Sequence, residues 1–189
     1  MFIPNGYAEN NPGNNLNKLI RGEYAFTIYR SCIVTPGSEG FNPETLELQT
    51  DAEHVIFVDA GVFHFDGNGK ITTKEVKIIQ LSANQLFPGQ TPVVPGLSSS
   101  CEGDYNVKQD RRTYSTEFSC VAQLEGGAKL KITPFKAEGY LGRSRKTLTI
   151  NEIEGNIQDF TISLNDIILQ ANKRICTTSG TLTKIKSVR

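Results

Sequence analysis

Asp59 is the residue of this sequence whose surroundings most favour acid–base chemistry. It lies in an apolar segment, 54–65 (HVIFVDAGVFHF), and shares its strand parity with Phe57 and Phe63. A carboxylate that lines a cavity between aromatic rings has a raised pKa and can act as an acid or a base. The alternative is an ion pair with Arg30 of the preceding apolar segment. Both interpretations stay open at the level of sequence.

The two histidines do not form a catalytic pair. His54 and His64 share a strand parity, but their separation corresponds to roughly 30 Å along an extended chain. The sequence also contains no nucleophile elbow, phosphate loop, HExxH or G-x-G-x-x-G motif. We therefore predict no catalytic residue and a structural role for both histidines.

Residues 66–75, DGNGKITTKE, are similar to the second half of a calcium-binding EF-hand loop. Aligned on the second glycine, the oxygen ligands would come from Asp66, Asn68 and Glu75. The first ligand position is occupied by His64, which is a poor ligand for a hard cation, and the preceding residues are typical of a strand. The same residues are explained by a hairpin in which DGNG supplies the positive-φ positions. We predict a turn and no metal site.

Two of the four cysteines test the register of a second hairpin. If the chain turns within KQDRR (108–112), Cys101 lies opposite Cys120, and Phe118 lies over Gly103. Opposed residues of a non-hydrogen-bonded pair have Cβ atoms about 4.5–5.5 Å apart, which is workable for a disulfide. This register predicts a bridge between the two cysteines.

The other two cysteines test whether the sheet closes. Cys32 and Cys176 lie in the first and the last predicted strands, which become neighbours when an even number of strands closes. A Cys32–Cys176 bridge would join these strands. The alternative is four buried free thiols, while a zinc site has little support because the chain has two histidines and no CxxC motif.

The composition argues against two classes of partner. The 189-residue chain balances 20 basic residues with 20 acidic ones, and no Lys/Arg run indicates a nucleic-acid-binding surface. No apolar run approaches the roughly 20 residues that span a bilayer. The N-terminus shows no charged and then apolar leader, but the even number of cysteines favours a periplasmic or secreted location. We predict no nucleic acid, no membrane span and no cofactor.

The chain is predicted to form one all-β domain, 19–189, after a flexible N-terminal arm, 1–18. The arm is rich in Asn, Gly and Pro, with one helical turn near Leu16–Ile20. The alternation of apolar residues then predicts nine strands, at 23–35, 54–65, 70–81, 101–107, 113–124, 128–136, 146–154, 157–169 and 173–186. Two proline-bearing connections interrupt them, 35–50 and 84–100, of which the second is a candidate lid.

Antiparallel strands in this number avoid open edges by closing into a barrel or by forming a sandwich. The segment 54–65 is apolar on both parities, so both of its faces need cover. In a barrel the lumen covers one face, and a helix, a loop or a second subunit covers the other. We therefore predict a closed antiparallel barrel of 8–9 strands, in a homo-oligomer.

Three segments resemble the signature of a bacterial, often exported protein family. They are GEYAF (22–26), GVFHFDGNGK (61–70) and GDYNV (103–107). The resemblance covers residues 20–125 and implies a calycin-like barrel, similar to that of allene oxide cyclase and more distantly to the lipocalins. The lipocalin Gly-x-Trp motif is missing, since the chain has no Trp. Because these motifs are turn and packing signatures, they imply a fold and no activity.

The leading functional prediction is non-catalytic binding of one small apolar or amphipathic ligand inside the barrel. The predicted lumen residues are Tyr24, Phe26, Phe57, Asp59, Phe63, Tyr105 and Phe118. One alternative is a cyclase or isomerase that uses Asp59 or a tyrosine as acid or base. The other is a structural protein with a filled barrel, whose outer face of Ile56, Val58 and Val62 packs on a partner.

Overall fold

The computed structural model describes residues 15–80 and 97–187, and these residues have an all-β fold, as the alternation predicts. A 3₁₀ helix, Leu16–Ile20, comes first, and a second short 3₁₀ turn spans Glu125–Gly127. The strands of the described residues are β1 Gly22–Pro36, β2 Glu53–Phe65, β3 Lys70–Gln80, β4 Leu97–Val107, β5 Thr113–Gln123, β6 Lys129–Tyr140, β7 Thr147–Glu152, β8 Ile157–Leu164 and β9 Ile167–Lys186.

The nine strands form one antiparallel sheet that closes in a ring. Strands β1 to β6 pair in sequence order, and β9 pairs with β1. Both β7 and β8 lie between β6 and β9, run in the same direction, and are separated by an interruption at 153–156. The two strands together therefore occupy one position, so the ring has eight positions. This even number is what allows the first and the last strands to pair antiparallel.

Two disulfides connect neighbouring strands, in the predicted pairs. Cys32 of β1 faces Cys176 of β9 and is bonded to it, so this bridge closes the seam of the ring. Cys101 of β4 faces and is bonded to Cys120 of β5. All four cysteines are buried on the inward side of the sheet.

The predicted strand at 157–169 is wrong, because the structure divides it into two. Strand β8 ends at Leu164, and Asn165 and Asp166 form a turn before β9 begins. Both turn residues have positive φ, 48° and 64°, which a tight hairpin turn requires and which Asn and Asp tolerate. Ile168 therefore belongs to β9 and does not continue the alternation of β8.

The two predicted irregular segments are only partly described. The helical turn at Leu16–Ile20 is confirmed as a 3₁₀ helix, and the Asn15 side chain caps it by accepting a hydrogen bond from Asn17 N. The rest of the arm, 1–14, and the candidate lid, 84–96, lie outside the described residues. The predicted end of the connection at residue 100 is wrong, because β4 already begins at Leu97.

Aromatic side chains fill one half of the ring interior, which we call the aromatic half. Its members are Tyr24, Phe26, Phe63, Phe65, Tyr105, Tyr114, Phe118 and Phe135. The rings of Phe26 and Phe63 stack with centroids 4.3 Å apart, and Phe65 meets Tyr105 edge to face at 4.9 Å. Fully buried Ile20 of the 3₁₀ helix packs against this cluster. The 3₁₀ helix thus covers this end of the ring.

A Gly103→Ala substitution is expected to destabilise the protein by about 1–3 kcal/mol through overpacking. The new Cβ would lie 2.1 Å from the carbonyl oxygen of Glu117 and 2.5 Å from Cα of Phe118, and this backbone cannot move aside freely. Urea unfolding measures the effect. The control is Ser100→Ala, an exposed position of the same strand, which is expected to change stability by less than about 0.5 kcal/mol. Equal stabilities of the two variants would contradict the close approach at Gly103.

Candidate functional site

The other half of the ring interior, near the end of β1 and the start of β9, holds polar side chains. This polar half consists of Arg30, Asp59, Glu152, Gln158, Asn172, Arg174 and Thr178. All of them are buried except Glu152, which is half-buried. Since a buried polar group is costly unless it is hydrogen-bonded, the partners of each group decide what this half of the ring can bind.

Arg30 and Asp59 form an ion pair in the interior. Their side chains are only 9% and 2% exposed. They come from neighbouring strands in diagonal positions, because Ile28 faces Asp59 while Phe57 faces Arg30. The guanidinium carbon of Arg30 also lies 5.0 Å from the centroid of the Phe135 ring, a cation–π contact. The ion pair that the sequence offers as one role of Asp59 is therefore present.

Glu152 accepts hydrogen bonds from three side chains. Thr178 Oγ1 donates to its Oε2 over 2.6 Å, and Asn156 Nδ2 donates to its Oε1 over 3.2 Å. Gln158 Nε2 also donates to Oε1. The interruption at 153–156 places Asn156 and Gln158 on this carboxylate, so a break between two strands creates the network.

Arg174 of β9 lies at the centre of the polar half and is 3% exposed. Its Nε donates a hydrogen bond of 2.7 Å to Gln158 Oε1. The guanidinium carbon lies 5.9 Å from the ring centroid of Phe57 and 5.8 Å from that of Phe160. Within the described residues, Arg174 Nη2 is buried and has no hydrogen-bond partner. An unsatisfied buried donor is unfavourable by about 1–3 kcal/mol, so this nitrogen is a site for an acceptor.

The Arg174 side chain stays positively charged at neutral pH although it is buried. Desolvation, and after it the positive charge of Arg30, lower the pKa of Arg174 to about 9, against the opposing effect of Asp59 and Glu152. A pKa of about 9 keeps the group cationic at neutral pH. Arg30 Nε is also buried with no hydrogen-bond partner in the described part of the chain. Two neighbouring guanidinium groups therefore each present one unused donor.

The predicted lumen residues fall into two clusters. Five of them belong to the aromatic half and pack with one another, namely Tyr24, Phe26, Phe63, Tyr105 and Phe118. The other two, Phe57 and Asp59, belong to the polar half and contact its two arginines. The structure thus brings two of the seven predicted residues to the site built around Arg174.

The hydroxyl groups of two predicted tyrosines hold turns in place. Tyr24 OH donates to the carbonyl oxygen of Arg145 over 3.1 Å. Tyr105 OH donates to the carbonyl oxygen of Asn17 over 3.1 Å and accepts a hydrogen bond of 2.9 Å from Gly67 N. Burial raises the pKa of both tyrosines to about 12. Both hydroxyls are therefore protonated and engaged at neutral pH.

The DGNG segment is a turn between β2 and β3, as predicted. Asp66 Oδ1 accepts hydrogen bonds from Asn68 N and Lys70 N, at 2.7 Å and 2.9 Å. Gly67 and Gly69 have φ of 87° and 108°, the positive values that the hairpin prediction requires. Across residues 15–80 and 97–187, no three His, Cys, Asp or Glu side chains are grouped so that they could hold a metal ion.

The histidines lie apart from the polar half. His54 is exposed and its Nε2 lies 2.7 Å from Ser31 Oγ. His64 Nδ1 lies 4.0 Å from a carboxylate oxygen of Glu23.

Five residues of the polar half were not predicted from the sequence, namely Glu152, Gln158, Asn172, Arg174 and Thr178. For Arg174 a signal exists, because Arg174 shares its strand parity with Cys176, which faces inward. For Glu152 and Gln158 the position depends on the interruption between β7 and β8.

No protein-family model matches this chain, and neither a curated protein nor a solved structure matches it. In the part of the chain that the structure describes, no helix is long and apolar enough to cross a membrane. The geometry of the polar half is therefore the basis for assigning a function.

Proposed function

We propose that the ring is a ligand-binding barrel of the allene oxide cyclase-like or lipocalin-like type, which binds one small amphipathic molecule through an anionic group. The buried Nη2 of Arg174, which has no acceptor among the described residues, carries this proposal. Carboxylate and phosphate oxygens are the acceptors that a guanidinium group binds most strongly. The anionic group of the ligand contacts Arg174, and Arg30 adds a second positive charge nearby.

Large apolar side chains of the interior provide the contact for the rest of the ligand, and two of them, Phe57 and Phe160, lie beside Arg174. Phe57, Ile78, Phe160 and Ile162 are large, face the interior and are only half-buried. Ligand pockets are lined mainly by such residues, with a few polar groups that fix the orientation of the ligand. Because the aromatic half is filled by its own side chains, the ligand is confined to the polar half and is short.

The start of β9, directly after the β8–β9 turn, extends this apolar surface at the same end of the ring. Ile167, Ile168 and Leu169 are 67%, 63% and 60% exposed. Three consecutive exposed aliphatic residues beside the polar half support the entry of an apolar molecule at this end.

The ion pair of Asp59 and the hydrogen bonds of Glu152 favour binding over catalysis. Asp59 is paired with Arg30, and Glu152 accepts hydrogen bonds from Thr178, Asn156 and Gln158. A general base needs a lone pair that is free to take a proton from the substrate. A cyclase or isomerase that uses Asp59 is therefore the second candidate, behind a binding protein.

Two further properties are part of the proposal. Disulfides persist in oxidising compartments, so the two bridges support a periplasmic or secreted location.

The outer face of β2 and β3 exposes Ile56 and Ile79, which are 37% and 38% exposed. Exposed apolar side chains on a sheet face support the proposal of a homo-oligomer.

The test compares carboxylates with alcohols of equal chain length, from butanoate and butanol to decanoate and decanol, by isothermal titration calorimetry. The wild-type protein is expected to bind one of the carboxylates at least about tenfold more tightly than its alcohol. Arg174→Gln is expected to remove that difference, because the amide cannot pair with the carboxylate. Lys131→Gln, at an exposed lysine on the outer face of β6, is the control and should retain it.

The two parts of the proposal fail in different ways. Equal affinity for carboxylates and alcohols would overturn the role of Arg174 while leaving a ligand-binding ring. The absence of binding by every member of both series would overturn ligand binding in the polar half.

A further inference from the structure

Two turns at the aromatic end of the ring bring four arginines around one hollow. Arg111 and Arg112 lie between β4 and β5, and Arg143 and Arg145 lie between β6 and β7. The hollow has a volume of about 380 Å³ and is lined by Arg111, Arg112, Leu141, Gly142, Arg143 and Arg145. The backbone joins the two turns, since the amide of Leu141 donates a hydrogen bond of 2.7 Å to the carbonyl oxygen of Arg112.

The hollow has no acidic lining residue to balance its arginines. Asp110 is the nearest carboxylate in the β4–β5 turn, and its oxygens are used by that turn. Its Oδ1 accepts hydrogen bonds from Arg112 N and Thr113 N, at 2.8 Å and 2.9 Å, and its Oδ2 accepts one of 2.7 Å from the Thr113 hydroxyl. These bonds lower the pKa of Asp110. Both oxygens of the Asp110 carboxylate are thus engaged in hydrogen bonds with Arg112 and Thr113.

In the described part of the chain, none of the four arginines takes part in an ion pair. The chain as a whole is neutral, so this concentration of positive charge is a local feature. Like charges that share a hollow repel one another, and a bound anion relieves the repulsion. The arrangement is therefore better suited to holding an anion than to stabilising the empty turns.

The backbone conformation of two of these arginines is independent support for a binding site. Arg111 and Arg145 both have φ of 56°, in the left-handed region. Gly, Asn and Asp adopt this conformation readily, whereas for arginine it is disfavoured. Residues in disfavoured backbone conformations cluster at functional sites. Each turn thus places an arginine where a glycine or an asparagine would be more stable.

We propose that this hollow binds a tetrahedral oxyanion with two negative charges, the phosphate or sulfate group of a small ligand. The guanidinium fork pairs with two oxygens of such a group at once, and four arginines from two turns can approach it from two sides. The volume falls within the range of about 300–1,000 Å³ that is typical of small-molecule sites. Because the hollow lies at the opposite end of the ring from Arg174, it is independent of the site proposed for the amphipathic ligand.

The test uses inorganic phosphate, with acetate at equal ionic strength as the control for charge alone. Amide shifts in heteronuclear NMR spectra are expected at 110–113 and 141–146 with phosphate and not with acetate. The double variant Arg112→Gln/Arg143→Gln is expected to bind phosphate at least about tenfold more weakly. Lys131→Gln, an exposed lysine of β6 at the other end of the ring, should leave phosphate binding unchanged.

A second arm distinguishes a free phosphate from a lipid headgroup. Phosphatidylcholine vesicles with and without phosphatidic acid are sedimented with the wild-type protein and with the double variant. Sedimentation that requires both phosphatidic acid and the arginines supports the proposal and identifies a lipid as the source of the phosphate. No response to inorganic phosphate and none to phosphatidic acid would overturn the proposal.

A third arm replaces the two arginines of positive φ by asparagine. Arg111→Asn and Arg145→Asn are each expected to raise the melting temperature by roughly 2–4 °C, because asparagine tolerates the left-handed conformation. Both are expected to weaken phosphate binding at the same time. If the two arginines served only the fold, the melting temperature would change without any loss of phosphate binding. Phosphate binding that persists unchanged in both variants would exclude the site.

Discussion

Loss of the Cys32–Cys176 bridge in a Cys32→Ala/Cys176→Ala variant is expected to lower the free energy of unfolding by about 5 kcal/mol. This disulfide connects residues 144 positions apart, so its removal restores much conformational freedom to the unfolded chain. Cys101→Ala/Cys120→Ala removes a bridge across only 19 positions and is expected to lower stability by about 3 kcal/mol. Both variants remove two buried inward sulfurs, so their difference of about 2 kcal/mol reports loop length.

Urea unfolding followed by circular dichroism gives both values. Hydrogen exchange locates the effect, since loss of the seam bridge should speed exchange in β1 and β9, where the first and last strands pair. Loss of the other bridge should act on β4 and β5. Equal destabilisation by the two variants would contradict the loop-length argument.

The register of the sheet could be predicted wherever a short turn joins two alternating strands. A shift of one residue moves every side chain of a strand to the other face, so the inward position of the aromatic residues fixes the register. In the β4–β5 hairpin this places Cys101 opposite Cys120 and Gly103 opposite Phe118, as observed. The seam could be predicted for a different reason, because an even ring makes the first and last strands neighbours.

The sequence predicts separate strands at 146–154 and 157–169, but alternation could not predict that β7 and β8 share one position of the ring, between β6 and β9. Asn151 faces Ser179 and Ile157 faces Ile175, so β7 and β8 contain two more residues than the part of β9 they cover. An even insertion leaves the parity of apolar residues unchanged. Gly155, with φ of 74°, is the one local signal of the bend. The hydrogen bonds of Glu152 depend on this bend and are therefore a property of the folded ring.

The polar half contradicts the rule that strand residues facing the interior are apolar. Parity alone places Arg174 inside, because Cys176 faces inward two positions away. Parity cannot show how a buried charge is neutralised, since its partners come from other strands. Gln158 of β8 and Phe57 of β2 meet Arg174 only because the ring closes around it.

Replacing Asp59 by asparagine is expected to destabilise the protein by about 3–5 kcal/mol, because it leaves Arg30 buried without its counter-charge. The double variant Arg30→Met/Asp59→Leu is expected to recover most of that loss, since an apolar pair replaces a buried ion pair at little or no cost. Glu117→Gln, which breaks the pair of Glu117 with Lys136, is the control and should change stability little, because these side chains are 59% and 45% exposed. Urea unfolding measures the free energy of unfolding of the three variants relative to the wild-type protein.

The same substitution also tests how the interior charges act on a ligand. Arg30 and Arg174 are balanced in the polar half by Asp59 and Glu152, so Asp59→Asn leaves one excess positive charge beside Arg174. Under conditions where the variant is folded, a carboxylate ligand should therefore bind more tightly than to the wild type, and its alcohol should not. Weaker carboxylate binding by a folded Asp59→Asn variant would mean that Asp59 itself contacts the ligand, which is the outcome that an acid–base role for Asp59 predicts.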